Sequence, residues 1–217
     1  MDAILLIAVL IVSVVVHEVA HAWQARREGD TTAEQLGRIT LNPLPHLDPI
    51  GSLLVPLALH FSGSGFLFGW ARPVPVNPAN YRDPKWGDIR VSLAGIVSNL
   101  ILAFLATLAM VVVLKVEAGV GALGGATELL RQGALYGILI NLVLACFNLI
   151  PIPPLDGSHV LFHLLPRRLA LPYRRAGQFG LLVLMGLLFL APGAFRFLMW
   201  PVDLLMGAAD AFIRLWI

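Results

Sequence analysis

The chain predicts an all-α polytopic membrane protein, a single domain over residues 1–217, and three observations carry that prediction. Of its residues 58% are hydrophobic and only 13% charged, too few polar side chains to cover a soluble globule. Apolar runs of membrane-spanning character recur from Ala3 to Trp23, Val91 to Leu114, Ala134 to Ile150 and Phe179 to Leu190, with a weaker one from Phe197 to Ile217. The connections between them are short, and none has the length and soluble composition of a second domain. A bundle of five to six transmembrane helices is expected. Its core spans fall at about 3–27, 88–115 and 133–152, with C-terminal helices over about 173–217.

The first run begins at Met1-Asp2 with no positive n-region, and no small-residue cleavage site follows it, so it reads as a retained helix. Residues 50–69 are apolar at first but carry Pro56, His60 and Ser62-Gly63-Ser64-Gly65. With the proline-rich Arg72–Pro78 they suggest a re-entrant or shallow segment over about 50–78, with room for a small β-hairpin. The stretch from Phe66 to Val76, mixing aromatic and β-branched residues, is the candidate strand edge. Lone Cys146 cannot form an internal disulfide. A net charge of +2, with basic residues grouped in loops, fits membrane anchoring and argues against a nucleic-acid partner.

The chemistry begins at His17-Glu18-Val19-Ala20-His21, which closes the first apolar run. On a helix, His17 and His21 project from one face and can share a metal, while Glu18 can reach a water on it. An ionisable cluster in lipid is costly, which marks it as a functional site. Zinc in hydrolases usually takes three protein ligands. The best candidate for the third is Asp156, in Asn148-Leu149-Ile150-Pro151-Ile152-Pro153-Pro154-Leu155-Asp156-Gly157. The prolines end a helix there, and Gly157 permits an unusual turn after the carboxylate.

These two motifs, in this order and at the ends of two spans, resemble the site-2 protease family of intramembrane zinc metalloproteases. The resemblance extends to Leu41-Asn42-Pro43, His46-Leu47-Asp48-Pro49, Gly69–Pro78, Ala94-Gly95 and Asn99. It implies that His17, His21 and Asp156 hold one Zn2+ per chain, that Glu18 is the catalytic glutamate and that Asn148 holds the substrate backbone. The implied reaction is hydrolysis of a peptide bond in or near a transmembrane segment of another membrane protein. Ile96 departs from the proline many relatives carry after the alanine-glycine pair. The PDZ and CBS modules common in the family have no counterpart here.

Topology follows from charge. Arg26 and Arg27 place the end of the first helix in the cytoplasm, and Arg72, Arg82, Lys85, Arg90, Arg167, Arg168, Arg174 and Arg175 agree, while Lys115 to Arg131 is balanced by Glu117 and Glu128. For Asp156 to meet the histidines, the helix ending at Ile150 must run parallel to the first, and residues 50–69 must return to the side they left. The expected home is a prokaryotic cell membrane, with the site towards the cytoplasm. Asn99 reads as interhelical glue or a group supporting the site, and His159, near Asp156, as a second supporting group. A metal transporter or a catalytically silent scaffold are the rival readings. A transporter should carry polar groups through both leaflets, and a silent scaffold has no use for the glutamate between the histidines.

Overall fold

The computed structural model describes residues 2–61, 72–120 and 124–217, and its described residues form helices and connecting turns with no strand. The first helix, α1 (Asp2–Glu28), has 27 residues. At 1.5 Å per residue that is ~40 Å, longer than the ~30 Å hydrocarbon layer. Neither glycine nor proline interrupts it, and Gly29, at φ 114°, ends it in a conformation other residues avoid.

The junction after α1 is organised by Asp30, which is fully buried. Its carboxylate accepts hydrogen bonds from the Thr32 hydroxyl (2.5 Å) and N–H (3.1 Å), the Asn77 N–H (2.7 Å) and the Asn80 amide (2.8 Å). A short helix, α2 (Thr32–Gln35), follows. The segment Pro49–Leu54 is a π-helical turn, started by Asp48, whose carboxylate accepts from the Ile50 and Gly51 N–H groups; it runs into α3 (Val55–Phe61). The Arg72 N–H then donates to the His46 carbonyl at 2.9 Å. The chain is therefore beside His46 again at Arg72. Of the expected strand edge, residues 66–71 lie outside the described residues, and 72–76 form no strand. Pro73 and Pro75 lack the N–H donors a ladder needs.

Two long helices complete the core, α4 (Pro84–Val120) and α5 (Gly125–Leu149). Side-chain pairings give their register. His21 meets Val91 and His17 meets Asn99, so α4 runs antiparallel to α1. Asn99 meets Asn141, and Gly137 faces Ala106, so α5 runs antiparallel to α4. Asn141 also meets Ser13, which sets α5 parallel to α1, as the site requires. A Cβ on Gly137 would stand 2.9 Å from that of Ala106, so the two helices approach on a small residue, as membrane helices do. Ala103, Met110, Ala134, Ile138 and Leu142 pack there with Val202. Outward, Val97, Ile101, Phe104, Leu105 and Val112 are exposed apolar residues, a surface suited to lipid.

The remainder is built of shorter pieces: α6 (Asp156–Leu164), α7 (Arg167–Ala176), α8 (Gly180–Leu190), α9 (Pro192–Leu198) and α10 (Trp200–Trp216). The expectation of five to six spans is not met among the described residues. Three helices, α1, α4 and α5, are long and apolar enough to cross, and a fourth crossing arises only if the stretch from Arg167 to Leu198, bent by 109°, is one span. The apolar run ending at Leu190 forms a helix of only 11 residues, because Pro192 starts a new one in another direction. α10 has 17 residues, ~25 Å, and carries Asp203, Asp210 and Arg214.

Candidate metal centre

Two helices deliver three side chains to a single point. From α1, the His17 and His21 rings stand one turn apart with their Nε2 atoms 3.0 Å from each other. From the start of α6, Asp156 Oδ2 lies 3.2 Å from His17 Nε2 and 3.3 Å from His21 Nε2. Among the described residues these three form the one His/Cys/Asp/Glu trio whose ligand atoms all lie within 4.8 Å of one another.

The fit to zinc can be tested on this triangle. Tetrahedral ligands at ~2.05 Å from an ion stand roughly 3.3–3.4 Å apart, close to the observed edges. Asp156 Oδ2 is buried and has no hydrogen-bond donor, an arrangement costly for a carboxylate that holds nothing.

Both histidines are oriented from α4. His17 Nδ1 donates to Asn99 Oδ1 at 2.5 Å, and His21 Nδ1 donates to the Val91 carbonyl at 2.7 Å. Each bond places the proton on Nδ1 and leaves Nε2 to face the trio, the tautomer metal binding needs. Asn99 is wholly buried, and its amide donates to Asn141 Oδ1 (2.8 Å) and the Ser13 carbonyl (3.4 Å). It thus joins α1, α4 and α5 while holding His17, so the two roles expected of it are one. Between Val91 and Asn99, Gly95 presents no side chain. A Cβ there would stand 2.5 Å from His17 Cε1 and from His21 Nε2, so the imidazoles occupy the space this glycine leaves.

Glu18 Oε2 accepts a hydrogen bond from the Val74 N–H at 2.8 Å. The segment carrying Val74 is held by buried Arg38, whose guanidinium donates to the Arg72 carbonyl (2.8 Å) and, more weakly, to that of Pro73 (3.4 Å). The catalytic candidate is therefore positioned by a loop 56 residues away in sequence. Asn148, at the end of α5, donates its amide to the Leu144 carbonyl of its own helix at 3.0 Å. His159 does not bond Asp156; its Nδ1 lies 3.3 Å from Asp88 Oδ2, which His163 Nε2 also reaches at 2.8 Å.

Gly157 serves differently from the expectation. Its φ is not positive, and it lies in the first turn of α6. A Cβ on it would overlap the Leu149 carbonyl, so what it permits is close contact between the end of α5 and the start of α6. Neither Gly95 nor Asp88 had an assigned role in the sequence. A glycine one helical turn from both Val91 and Asn99 was the available signal for the first.

Comparison with known proteins agrees with this geometry. The profile of peptidase family M50 matches residues 5–134 and 124–191. The chain is 40% identical over 210 residues to the proposed zinc metalloprotease YwhC of Bacillus subtilis (strain 168), covering 97% of this chain and 90% of that one. It is 34% identical over 193 residues to the proposed zinc metalloprotease Rip2 of Mycolicibacterium smegmatis, covering 85% and 66%. Against Rip2 of Mycobacterium tuberculosis (strain H37Rv) the identity is 32% over 226 residues, covering 98% and 81%. No solved structure matches the chain significantly.

Proposed function

The chain belongs to peptidase family M50, the site-2 protease family, and is a zinc metalloprotease; on that premise we propose that it cleaves a peptide bond in or near a transmembrane segment of another membrane protein, with one zinc per chain. The observation that carries this reading is the meeting of His17 and His21, on the apolar helix α1, with Asp156 at the start of α6, and Glu18 follows His17 directly in the chain. His17 stands ~16 Å back from the C-terminal end of a ~40 Å apolar helix, which supports a substrate reached within the membrane.

His17, His21 and Asp156 would hold the metal. When bound, zinc supplies Lewis acidity, lowering the pKa of a water towards neutrality and offsetting negative charge on the substrate carbonyl oxygen. Glu18, with Oε2 engaged by the Val74 N–H, takes the water's proton as the new C–O bond forms. It returns that proton to the peptide nitrogen as the C–N bond breaks. Val91 and Asn99 keep both imidazoles in one tautomer throughout. Asn148, close before the proline-rich turn that leads to Asp156, is our candidate for holding the substrate backbone, which must be extended for its amides to be reached.

The basic residues support a cytoplasmic site. Arg26 and Arg27 close α1, while Lys85 and Arg90 open the antiparallel α4. The hydrogen bond from the Arg72 N–H to the His46 carbonyl supports the expectation that the chain returns, after residues 50–69, to the side it left. The bacterial origin of the relatives supports a prokaryotic cell membrane.

Reconstituted wild type, Glu18→Gln and Asp156→Ala test the proposal together, with bound zinc and cleavage of a single-span reporter protein as readouts. About one zinc per chain is expected in wild type and Glu18→Gln, and far less in Asp156→Ala. Cleavage is expected in wild type alone. A Glu18→Gln enzyme as active as wild type would refute the assigned role of the glutamate.

A further inference from the structure

One face of α4 carries Asp88, Val91, Gly95 and Asn99, spaced three, four and four residues apart, so all four point towards the same neighbours. Asn99 orients His17, Gly95 makes room for both imidazoles, and Val91 orients His21. Asp88 completes the row and touches neither histidine of α1. Its partners are on α6, the helix that opens with the third ligand.

On α6, Asp156, His159 and His163 also share one face, at spacings of three and four. His163 Nε2 lies 2.8 Å from Asp88 Oδ2 and His159 Nδ1 lies 3.3 Å from the same oxygen. The Asp88 and His163 side chains are largely buried, at 11% and 16% exposed, and both line the wall of an open pocket. The carboxylate beside it holds His159 protonated to higher pH than usual, even though the ring is half exposed.

α6 follows the irregular turn from Pro151 to Leu155, with Gly157 set against the Leu149 carbonyl, and Asp88, His159 and His163 line an open pocket of about 480 Å³ with Phe162 and Tyr173. Asp156 itself receives no hydrogen bond that would fix its Oδ2. The place of that oxygen is set by where α6 docks.

We propose that Asp88 is a positioning residue for the metal centre, clamping α6 to α4 through His163 and His159 so that Asp156 meets His17 and His21 at ligand distance. The inference rests on the zinc reading above. It assigns the third ligand a support from α4, matching those that Asn99 and Val91 give the first two, so one helix sets all three ligands while contributing none.

The test compares wild type with Asp88→Asn, which keeps the side chain's size and removes its charge. Zinc affinity is read by competition with a chelator, and the visible spectrum of the cobalt(II)-loaded protein reports ligand geometry. Roughly tenfold or greater loss of zinc affinity and an altered cobalt spectrum are expected in Asp88→Asn, with helix content kept. Asp88→Glu, which retains the carboxylate on a longer arm, should recover part of both. Glu28→Gln controls for stability alone: Glu28 accepts from Arg90 of α4 at 2.7 Å through both oxygens, away from α6, so this variant should melt earlier but hold zinc like wild type. An Asp88→Asn protein with wild-type zinc affinity and cobalt spectrum overturns the clamp and leaves the hydrolase reading intact. A wild type that takes up neither metal overturns the zinc reading, and the clamp with it.

Discussion

Replacing Gly95 by alanine should sharply weaken metal binding while leaving a folded helical protein. The added Cβ would stand 2.5 Å from His17 Cε1, 2.5 Å from His21 Nε2 and 2.7 Å from His17 Nε2, whereas ordinary contacts begin near 3.4 Å. The rings or the helices must therefore separate by about 0.9 Å. The rings cannot yield alone, because each is tied to α4 itself, at Asn99 (2.5 Å) and Val91 (2.7 Å). Pushing α1 away from α4 instead strains the long helix pair, and overpacking of this kind typically costs about 1–3 kcal/mol. Metal–ligand distances tolerate only ~0.2 Å, so a shift several times larger removes a ligand. A loss of roughly a hundredfold or more in zinc affinity is expected, equivalent to ~2.7 kcal/mol. The assay is metal content after chelator challenge, beside circular dichroism and cleavage of a membrane reporter. A Gly95→Ala protein with wild-type zinc affinity would refute the claim that the imidazoles fill the space over this glycine.

Three further outcomes follow from other contacts. Val74→Pro removes the N–H that donates to Glu18 Oε2; kcat should fall roughly tenfold or more with zinc content unchanged, so a loss of zinc would show the effect to be wider than the glutamate. Asn99→Ala strips His17 of its acceptor and leaves Asn141 Oδ1 without the Asn99 donor; zinc affinity should fall about 10–100-fold and the melting temperature should drop, measured by scanning calorimetry in detergent. Asp30, although its burial alone would raise it, has its carboxyl lowered by hydrogen bonds from Thr32, Asn80 and Asn77. Because its folded pKa lies below the unfolded ~3.9, its contribution to stability is present above that value and is lost as pH falls through the folded pKa. The gap between thermal melts of wild type and Asp30→Asn should narrow as the pH is lowered below the unfolded value, and parallel curves would contradict this.

What the sequence makes legible here is chemistry that local spacing encodes. The interval between His17 and His21 announces a shared face, and the proline run before Asp156 announces a helix end. The parallel course of α1 and α5 followed from requiring these two places to meet. What stayed hidden depends on contacts between distant residues. Nothing local says that Asp88 finds His163, or that the Val74 N–H finds Glu18, since neither pair shares an element. The span count is not met among the described residues for a related reason: apolar composition does not fix length, and the run ending at Leu190 is halted by a proline two residues on. Gly157 was read for its backbone freedom, while its missing side chain is what the neighbouring Leu149 carbonyl demands.

The hydrogen bond from the Arg72 N–H to the His46 carbonyl ties two distant places in the chain together just before the Val74 N–H that reaches Glu18. The Arg38 guanidinium also holds the Arg72 and Pro73 carbonyls, so the donor to the catalytic carboxylate is anchored twice within three residues. The setting of the glutamate therefore depends on residues that belong to no long helix, and damage to either anchor should be felt as lost turnover while the metal stays in place.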